Sequence, residues 1–192
     1  MRTSIIARVA PVAAVLAAAL PAAARAQNAA IVNNPATIEF GADAGADFGL
    51  GKDSYTRVFL PGERFRVGFF VPGDPRLEIE PAAGLNFSKT GGVPGRTIYN
   101  VELGALYHFR APTYATNTTG ATVAYVRPFV NITGSSGSGD NETATTLGAG
   151  LGLKLPFRTN IALRGEANLG YNFRNKAAQL GLLAGFSFFA FK

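Results

Sequence analysis

Between positions 147 and 173 apolar and polar residues alternate almost without interruption. Leu147, Ala149, Leu151, Leu153, Leu155 and Phe157 share one parity, against Gly148, Gly150, Gly152 and Lys154. After a short break the pattern resumes. Ile161, Leu163, Ala167, Leu169, Tyr171 and Phe173 oppose Arg164, Glu166, Asn168 and Asn172. A period of two predicts strands, with successive side chains on opposite faces. The many glycines on the polar parity point to a crowded interior, since a solvated outer face has no need of them.

The same alternation recurs along the chain and predicts eight strands. The first, 36–50, sets Ile38, Phe40, Ala42, Ala44, Ala46 and Phe48 against Glu39, Gly41, Asp43, Gly45, Asp47 and Gly49. The second, 57–71, turns Phe65, Val67, Phe69 and Val71 outward and Arg64, Arg66 and Gly68 inward, with Pro61-Gly62 marking a bulge where the phase can slip. The third, 76–88, carries Glu78, Glu80, Gly84 and Asn86 on its polar side. The fourth, around 99–109, carries Asn100, Glu102, Gly104 and His108. Strand five, 121–133, turns Tyr125, Arg127 and Asn131 inward. Strands six and seven are the runs already described. Strand eight, 178–191, places Gln179, Gly181, Gly185 and Ser187 opposite Leu180, Leu182, Ala184, Phe186 and Phe188. The fold class expected is all-β, an eight-stranded antiparallel up-and-down transmembrane β-barrel. Eight is the smallest such barrel, with a lumen just wide enough for side chains.

Loop composition agrees with this count. Gly, Ser, Asn, Asp and Lys fill the outer connections expected at 51–56, 89–96, 134–143 and 174–177, whereas Pro72-Gly73-Asp74-Pro75 and 156–160 read as tight inner turns. The connection over 111–120 is longer than an inner turn requires.

A soluble barrel with its apolar face inward would show the same period. Composition decides against it. Charged residues make up 16% of the chain, too few to coat a wet exterior, and aromatics such as Phe40, Phe48, Phe87, Tyr99, Phe109 and Phe173 fall toward strand ends, as interfacial girdles do. Residues 1–26 read as a cleaved signal: Arg2 and Arg8, then an Ala/Val/Leu-rich stretch, then Ala24-Arg25-Ala26. A short periplasmic leader, 27–35, precedes the barrel domain, 36–192. No other stretch approaches the ~20 apolar residues of a spanning helix. The formal charge of +6 falls to about +3 without Arg2, Arg8 and Arg25, and no basic stripe speaks for nucleic acid. Cysteine is absent, so disulfides cannot staple the domain.

The inward parity carries a charge set. Glu39, Asp43, Glu78, Glu80, Glu102 and Glu166 stand against Arg64, Arg66, Arg127, Lys154 and Arg164. In a narrow lumen these are expected to cross-pair as an ion-pair network, because an unpaired buried charge is unfavourable. Glu78-x-Glu80 places two carboxylates on one face, but the inward cations account for them. His108 is the only histidine and has no serine–acid partners in the pattern. Gly148-x-Gly150-x-Gly152 precedes no helix, so it is no phosphate loop. No catalytic residue, metal site or cofactor is expected.

With the strand series, the segments Arg66-Val67-Gly68-Phe69-Phe70 and Val101-Glu102-Leu103-Gly104-Ala105-Leu106-Tyr107, and the ending Phe186-Ser187-Phe188-Phe189-Ala190-Phe191, the chain resembles the small bacterial outer-membrane β-barrels. That family includes the transmembrane domain of outer membrane protein A and the X-type barrels, and the resemblance spans about residues 36–192. It implies a Gram-negative cell envelope, an outer-membrane location reached through the signal peptide, and a monomer among outer-membrane lipid. It also implies the barrel insertion machinery as an assembly partner reading Phe189 and Phe191, although Lys192 follows the terminal aromatic. The function expected is non-catalytic, structural or surface-interacting, with the lumen closed by the ion pairs; the alternative is a narrow, porin-like channel for small solutes or ions.

Overall fold

The computed structural model describes residues 36–50, 54–61, 64–88, 95–112, 121–137, 142–158 and 160–191. The expected signal, the leader over 27–35 and positions 113–120 of the long connection lie outside them. Every regular element among the described residues is a strand: β1 (Ala36–Gly49), β2 (Thr56–Phe59), β3 (Phe65–Val71), β4 (Asp74–Ser88), β5 (Arg96–His108), β6 (Val123–Ser136), β7 (Glu142–Arg158), β8 (Ile161–Asn172) and β9 (Ala177–Phe191). From β3 to β9 each strand pairs antiparallel with the next. β9 then pairs with β1 from Ala36↔Phe191 to Gly49↔Gln179 and shuts the ring. β2 and β3 both pair with β1 and occupy one position in the wall, so the molecule is a closed eight-stranded barrel.

The interruption between β2 and β3 falls at Pro61, where the expected bulge stood. Gly45 pairs with Phe59 and Ala42 with Phe65, so five residues, 60–64, stand against Asp43 and Ala44. The surplus is odd, and an odd surplus exchanges the faces of a strand. Phe59 accordingly points into the barrel and Phe65 out. Proline has no N–H to give a ladder, which locates the break.

Several strands run further toward the loop end than the alternation indicates. β6 continues through Ser136 and β7 begins at Glu142, so half of the connection expected at 134–143 is strand. Thr, Ser and Gly on both parities hide a strand from a period-two reading, because neither face is apolar there. Fourteen to seventeen residues in β6 and β7 exceed the ~9–11 that cross a bilayer. The inner turn between β3 and β4 is tight, and Gly73 adopts φ +94°, a left-handed value suited to glycine. Below it Arg76 Nε donates to Asp74 Oδ1 at 3.0 Å and Nη2 to Oδ2 at 3.0 Å, and this hydrogen bonding holds the Asp74 carboxyl below its usual range.

The barrel is inside-out relative to a water-soluble domain. Phe40, Leu77, Ile79, Leu103, Leu151, Leu163, Leu169 and Phe186 all stand exposed on the outer wall. Aromatic pairs sit on the wall at both ends: Tyr107–Phe109 at the turn end and Tyr171–Phe173 at the loop end, edge to face at 6.2 and 5.4 Å. Among the described residues, the buried apolar side chains that cluster are Phe70, Ala162 and Phe189. Most of the largest fully buried side chains are charged.

Candidate functional site

The lumen is layered along its axis. Its middle is built by β1 (Glu39, Asp43), Arg64 just before β3, Arg66 of β3, Glu78 and Glu80 of β4, Glu102 of β5, Arg127 of β6, Lys154 of β7, and Arg164 and Glu166 of β8. All eleven are buried. Each strand delivers its charges at inward positions because the parity of the ladder permits no other direction.

The pairs run across the lumen as well as between neighbours. Arg164 of β8 meets Glu80 of β4 and donates from Nη2 to Glu166 Oε2 at 2.7 Å. Lys154 of β7 meets Glu39 of β1 and donates to Glu78 Oε2 of β4 at 2.7 Å. Arg127 bridges Glu102 to Glu166, reaching Glu166 Oε1 from Nη2 at 2.5 Å. Arg64 joins Asp43 to Glu102, and Arg66 joins Glu39 to Asp43. Neutral groups complete the shell. Arg164 Nε donates to Tyr125 Oη at 2.6 Å, Tyr125 Oη donates to Glu166 Oε2 at 2.8 Å, and Ser187 Oγ donates to Glu39 Oε1 at 2.6 Å. Such charge-assisted contacts fix geometry as well as charge balance.

Glycines make room for this. A β-carbon at Gly150 would sit 2.6 Å from Glu166 Oε1, and one at Gly104 would sit 3.0 Å from Arg127 Nη1. At Gly41 it would meet the Arg66 guanidinium, and at Gly152 the Tyr125 ring. A long side chain from the adjacent strand therefore lies over each of these glycines.

Toward the turn end an aromatic layer follows. Phe70 lies 5.8 Å from the His108 ring and 6.5 Å from Phe189, and His108 lies 5.7 Å from Tyr125. The Lys154 ammonium caps this layer, 5.6 Å from the Phe70 and Tyr125 ring centres and 5.8 Å from that of Phe189. His108 Nδ1 faces the Arg76 carbonyl at 3.1 Å, and Nε2 lies 3.4 Å from Glu78 Oε2. Among the described residues no hydroxyl hydrogen-bonds to His108. Glu39, Glu78 and Glu80 bring carboxylate oxygens within 4.8 Å of one another, a spacing that could hold a cation. Lys154 places its ammonium on two of the three and Arg164 its guanidinium on the third.

Toward the loop end the lumen widens into a polar vestibule of about 270 Å³, walled by Arg57, Asn100, Asn131, Asn168, Asn172 and Gln179 among others.

No family model matches the sequence, and no curated protein does. Solved structures do. Neisserial surface protein A is 16% identical with a TM-score of 0.55, over 79% of this chain and 96% of that one. The N-terminal β-barrel domain of Pseudomonas aeruginosa OprF is 18% identical with a TM-score of 0.51, over 80% and 99%. The attachment invasion locus protein of Yersinia pestis, solved with the heparin analogue sucrose octasulfate, is 11% identical with a TM-score of 0.53, over 83% and 100%. This chain has the small outer-membrane barrel fold.

Within that fold the eleven expected charged residues come together in one continuous cluster. Of the expected assembly signal, Phe189 points into the lumen against Phe70, while Phe186 and Phe188 face outward; the side chain of Phe191 lies outside those described. The charge-centred reading missed Phe70 and Phe129 as lumen fillers, and it placed His108, Tyr125 and Ser187 on the inward face without including them in the network. Phe70, Phe129, His108 and Tyr125 share the inward parity of the charges on their strands, and Ser187 that of Gln179, Gly181 and Gly185, which was the available signal.

Proposed function

We propose that this chain is a bacterial outer-membrane barrel whose lumen is closed by its ion pairs, and that its role is structural or surface-interacting rather than catalytic or conductive. The membrane reading rests on inversion: exposed Leu, Ile, Val and Phe on the wall and buried Arg, Lys and Glu within. Only lipid makes that arrangement favourable. A monomer is the expected state, since the ring leaves little edge to share.

One observation carries the closed lumen. Lys154, Arg127 and Arg164 each bind carboxylates from two strands, and the aromatic layer lies directly beneath them. An ion crossing this zone would have to part buried pairs, each typically worth ~3–5 kcal/mol when one partner is left alone. A surface role is supported by the vestibule, which opens at the loop end. A barrel of the same fold is named for attachment and invasion.

Planar-bilayer recording of the purified, refolded protein tests this. No stable unit conductance is expected. A reproducible unit step that persists after the loops are trimmed would instead make the protein a narrow channel.

A further inference from the structure

Among the described residues, the ladders run unbroken around the turn end of the closed barrel but not around its loop end. β3 pairs with β4 only as far as Phe65↔Ala83. Beyond that level, residues 84–88 of β4 pair with β5 alone, from Gly84↔Asn100 to Ser88↔Arg96. On the other side, β2 pairs with β1 alone. Among the described residues, no ladder joins β2 to β4. With no ladder between them, the described parts of β2 and β4 border a lateral slit.

Apolar side chains on both lips are highly exposed. Val58 and Leu60 on one lip are 70% and 65% exposed, and Leu85 and Phe87 on the other are both 66% exposed. These values lie at the top of the range for large apolar residues among those described, equalled on the fully paired wall by Leu151 at 65%. Behind the slit lies the vestibule, lined by Arg57 and Phe59 from one lip and by Arg96, Ile98 and Asn100 behind the other. Its charges are nearly matched. Arg174 pairs with Glu142 at 2.8 Å, Arg64 with Glu102, and Arg57 lies opposite Asp47 on the adjacent strand. Arg96 has no carboxylate partner among the described residues; its one hydrogen bond is to Ser135 Oγ at 3.5 Å.

Depth fixes what can occupy such an opening. Leu85 pairs with Tyr99 and Phe87 with Thr97, the last apolar levels on β4 before Ser88 and Arg96 at the loop end. Free backbone edges are not tolerated in hydrocarbon, but at the headgroup level polar groups can reach them. Apolar lips facing lipid, a polar chamber behind, and one excess cation beside the opening together match an anionic amphiphile.

We infer that the slit between β2 and β4 is a lateral binding site for an anionic membrane lipid, its acyl chains on Val58, Leu60, Leu85 and Phe87 and its phosphate drawn into the vestibule toward Arg96. This rests on the membrane reading above. The site is specific for the intact amphiphile, since the lips hold the tail and Arg96 selects the charge.

Native mass spectrometry of the full chain in dodecyl maltoside tests it. Dioleoyl phosphatidylglycerol is compared with dioleoyl phosphatidylcholine, and glycerol phosphate serves as the free anion. One phosphatidylglycerol is expected per barrel, at about a tenfold lower concentration than phosphatidylcholine, as for one charge-assisted contact. Arg96→Gln removes that preference. Leu85→Asn with Phe87→Asn weakens retention of both lipids, whereas Leu163→Asn with Leu169→Asn, on the distant β8 wall, leaves it unchanged. Equal retention by the lip variant and the parent would show annular lipid and overturn the inference. So would glycerol phosphate binding as tightly as the lipid, or a dimer that excludes lipid by joining the two free edges. If the lip variant does not fold, the exposed Arg96→Gln decides alone. Flotation of the same preparations with vesicles separates the two levels: a floating protein without slit-dependent binding sinks this inference only, and one that fails to float sinks both.

Discussion

Lys154→Met is the sharpest probe of the lumen. The substitution keeps most of the side-chain length and its packing while deleting the charge. In the parent, the ammonium neutralises Glu39 and Glu78 and lies near the rings of Phe70, Tyr125 and Phe189. Without it, Glu39 keeps Arg66 and the Ser187 hydroxyl. Glu78 keeps no Lys or Arg partner; its nearest basic group is His108 Nε2 at 3.4 Å, and its Oε1 already lacks a hydrogen-bond donor. One buried carboxylate is thus stranded, and the expected loss is about 3–5 kcal/mol. Glu78→Gln on the same background removes the stranded charge and should recover about 1–3 kcal/mol of that loss, the usual size of coupling between contacting residues. Urea unfolding in phosphatidylcholine vesicles, followed by far-ultraviolet circular dichroism, reads both quantities. If Lys154→Met loses less than about 1 kcal/mol, or the two substitutions simply add, the cluster is not an interdependent buried network and the argument from stranded charge is wrong.

Other substitutions probe the faces and the rim, the first three by the same unfolding assay. Gly150→Leu must displace Glu166, whose Oε1 would lie 2.6 Å from a β-carbon there, and should destabilise by about 1–3 kcal/mol. Leu151→Arg, one position along and on the outer wall, should destabilise by about 2–4 kcal/mol through lipid exposure of charge, and equal tolerance of both would mean the faces are reversed. Arg174→Ala breaks the half-exposed pair with Glu142 and a 3.3 Å hydrogen bond to the Thr143 carbonyl, and should change stability by no more than about 1 kcal/mol. At the turn end, Arg76 hydrogen bonds lower the Asp74 carboxyl, so the stabilisation it lends is present above the ordinary carboxylate range and is lost as pH falls through the lowered value. The Asp74 titration followed by nuclear magnetic resonance should therefore shift upward in Arg76→Ala.

The regular strands were legible because one face is apolar and the other is not. That contrast marks β7 from Leu147 to Phe157 but fails at Ser135 and Thr143, where both sides are polar and pairing rests on the backbone alone. Pro61 announced a disturbance in the second strand, yet its consequence was not readable. The surplus of residues over β1 depends on register, and register decides that Phe59 turns in while Phe65 turns out. The inward charges followed from parity. Their partners could not, since Lys154 and Glu39 are far apart in sequence and meet only when the ring closes. Phe70, Phe129 and Phe189 were obscured for a different reason. An aromatic next to outward aromatics reads as part of the girdle unless its parity is followed.

Register also explains why a polar interior can specify this fold without cysteine. In a soluble domain a slipped strand buries the wrong face and is penalised by water. Here a slip of two residues keeps every apolar side chain in lipid, so lipid does not resist it. The lumen does. Displacing β8 by two residues along β7 would move Arg164 away from Glu80 and Tyr125, carry Glu166 off Gly150 and Arg127, and strand charges on three strands at once. The glycines sharpen the effect, because a long side chain shifted off its glycine meets a neighbour with a side chain of its own. Lipid selects which face points outward, and the buried pairs with their glycine seats select the register. The β2–β4 slit fits the same logic: it opens above Arg66, the last inward charge on β3, where Arg64 is held by Asp43 and Glu102 and β2 bears no charge of the central cluster to lock it against β4.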